Sequence, residues 1–540
     1  MARLDRLPTV REVAQVGSVL GREFAYEMIQ AVAAYEEPTL QNGLDQLVQA
    51  ELLYQRGRRP HARYTFKHAL VQDAAYHSLL KRTRKYYHQQ VGELLERRYP
   101  ELAQSQPDLV AQHYVRAEND AKAVEYLIRF ADKAASLYAH TEAATALEDA
   151  LHHAEHISGE QGDHSVLEVV LRLAESLHFL GRRQELVEKL LQQEERLNRL
   201  ADANLAGKFY FWLGFAHSFL GHRTEASKTL GRALEEAARS GDDAVGGRIH
   251  RALAMECTFS GQPLEKAVEH GRQAVALLER NEDAFWLAQA LFALSYATYY
   301  QGDFDSSLRA AARLEALGER TASRRAKANA VMMIGLNLAT RGDWAEAVKT
   351  EQRALELSPD DFETAWILAC LGKARIEGED AGQAIPVLER AVELADRLRS
   401  LQFRCWFRTI LGNAYALNVD FDKAHGIACK ALEVSTDIHF ALGIGWSWQV
   451  LGRIARAKND MAEAARNFSE ALSTFSAIGA RFELARTHLE LAALAQSQGN
   501  TEMLRSQLLL AYQLFLELKA PKYVERAKLL GAQTGLSLVG

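Results

Sequence analysis

The chain has 540 residues, too many for one ordinary domain, which implies an array or several domains. Hydrophobic residues make up 48% and charged residues 25%, which excludes a disordered chain. The formal charge of −6 excludes a nucleic-acid binder that works by bulk positive charge.

Residues 1–115 form a front module of nearly balanced charge, with 15 Lys+Arg against 13 Asp+Glu. VREVAQVGSVL (10–20) and FAYEMIQAVA (24–33) have helical periodicity and are separated at Gly21. TLQNGLDQLVQAELL (39–53) predicts a third helix with Thr39 as its N-cap. ELLYQRGRRPHARYTF (51–66) then changes to a strand–turn–strand pattern with GRRPH at the tip. Helices follow over 66–80 and over the basic segment 81–99. Three helices and a hairpin spell a small winged-helix-like domain. Arg56, Arg58, Arg59 and Arg63 on the wing raise DNA binding as an alternative. The helix that would enter a groove, 39–53, carries Asp45 and Glu51 and neither Lys nor Arg, so nucleic acid is not the expected partner.

From about residue 116 to 520 the chain repeats itself. A small residue recurs at 131, 174, 214, 254, 295, 335, 372, 412, 452 and 492, mostly at intervals of 40. About twelve and nineteen residues after the anchor come further small residues, as at Ala226 and Ala233, Ala347 and Ala354, or Ala464 and Ala471. Turns such as QGDF (301–304), RGDW (341–344) and KNDM (458–461) separate two helices per unit. Gly or Asn there ends the first helix in a left-handed conformation, and Asp caps the second. Two antiparallel helices approach closely only where side chains are small, and each unit buries its remaining apolar face against the next. The unit at 174–193 lacks the second and third small residues, and the one at 254–274 has a longer turn and Gly271. The reading is all-α: a right-handed solenoid of about ten units, behind the domain at 1–115, with a capping helix and tail over 521–540.

The four cysteines, Cys257, Cys370, Cys405 and Cys429, form no CxxC pair and read as reduced core thiols. The N-terminus has no apolar signal region, and nothing approaches a stretch of ~20 apolar residues. A cytoplasmic location and no membrane partner are expected.

The unit MMIGLNLATRGDWAEAVKTEQRALELSPD (332–360) resembles the tetratricopeptide repeat, with Gly335, Leu338, Gly342, Ala347, Ala354 and Pro359 in that family's order. Its usual length is ~34 residues, so the longer period implies longer helices. The front module carries a second resemblance. ARLDRLPTVREVAQVGSVLGREF (2–24), AELLYQRG (50–57) and YTFKHALVQDAAYHSLL (64–80) are similar to the winged-helix part of STAND-type signal-transduction ATPases. More narrowly, it resembles bacterial chains ordered cyclase, P-loop ATPase, winged helix, tetratricopeptide repeats. The resemblance implies that a histidine here senses the β-phosphate of a bound nucleotide. In FKHALVQDAA that position is His68, although Ala69 stands where the family has aspartate.

The chemistry-bearing motifs of such a parent are missing. There is no G-x-x-x-x-G-K-[ST] loop, no GxSxG, no HExxH and no dinucleotide glycine fingerprint. The chain is therefore not expected to be an enzyme. No cofactor is expected in it, with ATP or ADP belonging to an upstream ATPase/cyclase module if it is the C-terminal part of a longer protein. His152, His153 and His156 share a helix, and 152/156 has i,i+4 spacing, but no further ligand is implied, so no metal is expected.

In this repeat family the first helix of each unit lines the concave face. By that register Phe211, Phe215, Phe292, Tyr296 and Tyr299 give an aromatic stretch, followed by Lys373, Asn413, Arg453 and Arg456. A groove running from aromatic to basic suits a protein or peptide ligand. The function expected is a sensory and autoinhibitory arm. It would bind a protein or small-molecule signal and control a nucleotide-switch ATPase, in cis or trans, linked to an adenylate or guanylate cyclase. The rivals are a free-standing scaffold and, more remotely, a DNA-binding regulator.

Overall fold

The structure, a computed structural model, describes residues 8–538 apart from 34, 282, 399 and 537. Its contacts divide the chain into two compact units, Met1–Ala201 and Asp202–Gly540.

The first unit opens with α1 (Pro8–Leu20), β1 (Glu23–Ala25), α2 (Tyr26–Val32), α3 (Glu37–Gln49), β2 (Leu53–Arg56), β3 (Arg63–Phe66), α4 (Ala69–His77) and α5 (Lys81–Arg98). The hairpin lies where the alternation placed it. A third strand joins it: β1 pairs antiparallel with β3, giving the order β1-β3-β2. Helix α3 begins earlier than expected, at Glu37 with Pro38 in its first turn. Thr39 therefore sits inside the helix and is not its cap, because a proline prefers the first turn, where its missing N–H is not needed. The helix also stops earlier. Glu51 takes a left-handed φ of 55°, and the Leu52 N–H returns to the Leu47 carbonyl, which releases Leu53 into β2. Helices α1 and α3 touch at Gly43, where an added Cβ would lie 2.8 Å from Val13.

The unit continues with α6 (Pro100–Ser105), α7 (Pro107–Ala117), α8 (Asp120–Ser136), α9 (His140–Ala154), α10 (Gly159–Phe179), α11 (Arg183–Leu191) and α12 (Glu194–Leu200). Helices α8/α9 form the first hairpin of the array. In the second, α10 faces a broken helix, α11 and α12. This is the hairpin that lacks the second and third small residues, and the compact unit ends directly after it.

The second unit holds eight more hairpins. They are α13 (Ala203–Leu220)/α14 (Arg223–Ser240), α15 (Asp243–Phe259)/α16 (Leu264–Leu278), α17 (Ala284–Gln301)/α18 (Phe304–Arg320), α19 (Arg324–Arg341)/α20 (Trp344–Leu357), α21 (Asp361–Glu377)/α22 (Ala381–Arg397), α23 (Leu401–Leu417)/α24 (Phe421–Asp437), α25 (Ala441–Ala457)/α26 (Met461–Ile478) and α27 (Arg481–Ser497)/α28 (Thr501–Glu517). Helix α29 (Pro521–Gln533) closes the array. The small positions do the work their spacing implied. A Cβ on Gly372 would lie 2.4 Å from Leu388, and one on Gly452 2.6 Å from Phe468, while Ala384, Ala391, Ala464 and Ala471 are fully buried. Gly271 admits the backbone of α17, with Leu294 Cα 3.1 Å from an added Cβ.

The turns follow the same logic. Gly302, Gly342 and Asn459 have φ of +97°, +99° and +65°, and Asp303 and Asp460 accept the backbone N–H of Ser306 and Glu463. The equivalent place between α23 and α24 is held by Val419, at φ 65° and 70% exposed. A branched side chain in the left-handed region costs ~1–2 kcal/mol, and glycine returns ~0.5–1 of that in backbone entropy. Val419→Gly should raise the urea midpoint by an amount equivalent to roughly 0.5–1 kcal/mol, whereas Gly342→Val, the reverse change in an equivalent turn, should lower it.

Glu351 of α20 is fully buried against Gly335, and neither carboxylate oxygen has a hydrogen-bond partner among the described residues. Burial raises its pKa well above the ordinary 4.5. The folded protein thus keeps a proton that the unfolded chain releases above about pH 4.5, so stability falls as pH rises from there towards the folded pKa. Glu351→Gln should match the parent in melting temperature near pH 4.5 and exceed it progressively up to pH 8, by ~1.4 kcal/mol per unit of pKa shift removed. Parallel melting curves across that range would overturn the assignment.

Candidate functional site

In the second unit the array curls back on itself. Helix α13 meets α23, α17 meets α27 and α19 meets α29, each five hairpins further along. The inner face is therefore an interior. Phe259 of α15 lies 5.6 Å from Phe440, Tyr300 of α17 lies 5.7 Å from Trp446, and Phe304 of α18 lies 5.7 Å from Phe482, measured between ring centroids. Phe211, Phe215, Phe292, Tyr296 and Tyr299 are all buried there. Phe211 stacks on Phe215 at 5.4 Å and meets Trp286 edge-on. Phe292 and Tyr296 pack on Trp366 at 5.1 and 5.2 Å. The expectation of an open aromatic groove is corrected: these rings fill the interior, because one superhelical turn brings opposite walls into contact.

The basic stretch is different. A half-enclosed cavity of ≈ 40 Å³, counted as space for water centres, lies between α21, α23, α25 and α27. About 10–15 Å³ of such space holds one water, so the cavity takes roughly three. Lys373, Asn413 and Arg453 line it together, as the register foresaw, beside Glu377, Gln449, Arg486 and the rings of Trp406 and Trp446. Arg456 stands just outside and pairs with Glu490 at 3.2 Å. Arg453 holds Glu490 at 2.5 Å and donates to the Asn413 side-chain oxygen. Arg486 lies 3.3 Å from Glu377 and 3.5 Å from Glu483. The Lys373 ammonium donates to the Tyr299 hydroxyl at 3.0 Å.

Glu377 joins the cavity to the end of the array. The Tyr523 hydroxyl of α29 donates to its carboxylate, and Arg526 donates to its backbone carbonyl and pairs with Glu379. Lys519 closes a further bridge to Asp305, at 2.8 Å. Burial alone would raise the pKa of Glu377, but Arg486, the Tyr523 hydroxyl and Lys373 hold it below the ordinary carboxylate value. Glu490 is lowered for the same reason, with Arg453 and Arg456 outweighing burial.

The aromatic and basic neighbours of this site carry their own mark in the sequence. Trp366, Trp406, Trp446 and Arg486 recur at 40-residue intervals, each six residues before its anchor.

In the first unit His68 precedes α4 and is exposed. Its backbone carbonyl receives the N–H of Val71, while its imidazole makes no hydrogen bond among the described residues. Leu70 beside it is 80% exposed. On the wing, Arg59 pairs with Asp45 at 2.5 Å and Arg63 with Glu23 at 2.9 Å, which spends two of the four arginines internally. Of the histidine trio, His153 and His156 bring a ring nitrogen each to within 4.8 Å of one another and of Asp120. Asp120 comes from the preceding helix, α8, and already accepts a hydrogen bond from His153 at 2.7 Å. His152 meets His156 edge-on and is not in that group. Among the described residues no helix is long and apolar enough to cross a membrane.

The fold is a tetratricopeptide-type α-solenoid. No protein-family model matches the chain. Over 151 residues, 28% of its length, it is 27% identical to an uncharacterized protein of Rhizobium meliloti (strain 1021), and the match spans 15% of that relative. Among solved structures it is similar to a Rap protein complexed with competence and sporulation factor, with TM-score 0.52 and 14% identity, over 65% of this chain and 98% of that one. It is also similar to the apo quorum sensor NprR from B. thuringiensis, with TM-score 0.46 and 11% identity, over 65% and 98% of the two chains. A signal transduction ATPase with numerous domains and a tetratricopeptide repeat sensor, from Pyrococcus horikoshii, gives TM-score 0.38 and 13% identity, over 92% of this chain and 65% of that one.

Glu377→Gln should cost ~3–5 kcal/mol, because it leaves Arg486 buried without its full countercharge. The urea midpoint of the variant, set against a surface control such as Glu393→Gln, measures this.

Proposed function

We propose that the chain is a sensory arm whose solenoid takes up a protein, peptide or small-molecule signal and thereby changes between closed and open superhelices. The observation that carries this reading is the charged cluster inside an otherwise aromatic interior. Replacing a buried ion network by packed apolar side chains is often neutral or stabilising. A static scaffold gains nothing from Lys373, Glu377, Arg453, Arg486 and Glu490 at that place, whereas a surface that opens to a ligand does. The similar Rap protein, solved in complex with competence and sporulation factor, supports the same direction.

The front module supplies the output side of the reading. Its element order fits a winged helix, and exposed His68 beside exposed Leu70 offers an imidazole and an apolar contact to a partner module. On the resemblance given above, that module is a nucleotide-switch ATPase, with ATP or ADP as the nucleotide and a cyclase as one output. The chain itself contributes no catalytic step.

Opening is tested by weakening the closure. The double variant Glu377→Ala, Lys519→Glu should keep its far-UV helicity while backbone amides of α19, α21 and α29 exchange with deuterium at least tenfold faster. Uniform acceleration along the whole second unit would mean general destabilisation and would sink the two-state reading. For the output, an in-frame P-loop segment encoded immediately upstream of Met1 is expected, and a stop codon followed by a promoter there would favour the free-standing scaffold.

A further inference from the structure

In the first unit, the hairpin α8/α9 gathers three metal-ligating side chains at one end. A short turn joins the two helices, so the start of α8 lies beside the end of α9. Asn119 caps α8, its side-chain oxygen accepting the Lys122 N–H, and this holds Asp120 in the first helical turn. His153 stands in the last turn of α9. His156 follows in the turn beyond, where its N–H returns to the His153 carbonyl at 3.1 Å. Three residues along a helical turn place two side chains on one side. That side meets Asp120: one ligand atom from each of Asp120, His153 and His156 lies within 4.8 Å of the other two. An acid at a helix start and a histidine at a helix end are each favoured by the helix dipole, which accounts for the pair Asp120–His153. It does not account for His156, whose imidazole makes no hydrogen bond among the described residues and meets the ring of His152 edge-on. Lys122 does not occupy Asp120 either, since its ammonium is held by Glu96 and Glu125.

We infer that Asp120, His153 and His156 form a binding site for one Zn²⁺ ion. The histidines alone lacked a further ligand in the sequence; folding brings it from 33 residues before His153. Two imidazole nitrogens and a carboxylate are donors that zinc takes, whereas Mg²⁺ and Ca²⁺ take oxygen. Zinc bonds of ~2.0–2.2 Å at tetrahedral angles place ligand atoms ~3.3–3.5 Å apart. The group spans 4.8 Å at most, and His156 is exposed, so its ring can turn inward to make up the difference. The ion takes the place of the proton now shared between His153 Nδ1 and Asp120 Oδ1 at 2.7 Å. The His153 ring then carries its proton on Nε2, and both atoms turn a lone pair to the metal. Three protein ligands leave the fourth position to water. Zinc held there ties the end of α9 to the start of α8, next to Glu118, whose carboxylate meets Lys81 and Lys85 of α5. It therefore braces the hairpin with which the array begins. The inference does not depend on the sensory reading of the second unit.

The experiment uses the full chain, treated with EDTA and dialysed, and titrated with ZnCl₂ in a calorimeter at slightly alkaline pH, because protons compete with the metal for imidazole. One saturable site per chain is expected, with no such site for MgCl₂. Co²⁺ in place of Zn²⁺ should give the strengthened visible absorption of tetrahedral coordination. His156→Ala and Asp120→Asn should each weaken the Zn²⁺ affinity at least tenfold with unchanged far-UV helicity, while His152→Ala leaves it unchanged. Backbone amides at the end of α9 should exchange with deuterium more slowly when zinc is bound, and His156→Ala should abolish that slowing. Unchanged affinity in His156→Ala overturns the inference and assigns the zinc to other histidines. Equal loss in His152→Ala overturns it in favour of the i,i+4 pair 152/156. The lack of a saturable site in the parent chain overturns it as well. If Asp120→Asn does not fold, the contrast between His156→Ala and His152→Ala, both at exposed positions, still decides.

Discussion

The distance between helices is the constraint on which the second unit depends. Gly214, Gly335, Gly372, Gly412 and Gly452 each sit where a partner side chain or carbonyl reaches the backbone of the first helix. Leu230, Glu351, Leu388 and Phe468 of the second helices meet four of them, and the Ala424 carbonyl meets Gly412. That close approach fixes how one hairpin leans on the next, and five such steps bring α13 to α23 and α17 to α27. A small outward displacement at each step would leave a wide groove. As the helices are placed, the walls meet and the rings between them are buried.

Two chemistries share the enclosed space, and they differ in what they require. The aromatic half is complete in itself: Phe259, Tyr296, Trp366 and Trp406 are one another's partners, at centroid distances of 5.2–6.5 Å. The hydroxyl of Tyr296 meets that of Tyr300, while the buried indole N–H of Trp366 has no hydrogen-bond partner among the described residues. The charged half is satisfied only by a chain of shared carboxylates, in which Glu377 serves Arg486, Tyr523 and Arg526 together. Arrangements of this second kind are expensive to desolvate and lose much when one member moves. On the sensory reading, an interior of this composition opens first on its charged side.

The repeat was legible because its cause is local. The anchors, the following small positions and the Gly-Asp or Asn-Asp turns are each dictated by contacts within one hairpin, and all ten anchors fall on first helices. The weak hairpins were legible too: the missing small residues at 174–193 correspond to the break between α11 and α12. Closure was not legible, since it depends on small rotations added over five hairpins, none of which leaves a mark in any single unit. Phe211 and Tyr296 could thus be placed on the inner face without showing that the face is closed. Lys373, Asn413 and Arg453 were found by the same register. Glu377 was not, because its partners Arg486, Tyr523 and Arg526 lie more than a hundred residues away. Thr39 failed for a local reason, the competing claim of Pro38 on the first helical turn.

The position of Glu377 has a thermodynamic consequence for the sensory reading. Its carboxylate faces the cavity through Arg486 and the end of the array through Tyr523 and Arg526, so a single charge contributes to both. On the sensory reading, a ligand that engages Arg486 lowers the value of Glu377 to its other partners. Linkage is reciprocal: if the ligand weakens the hold on α29, then release of α29 strengthens the hold on the ligand by the same factor. The shift available is limited by the difference in ligand affinity between closed and open forms. Because the closing polar contacts at α29 are few and three of them converge on one glutamate, that difference need not be large to move the balance.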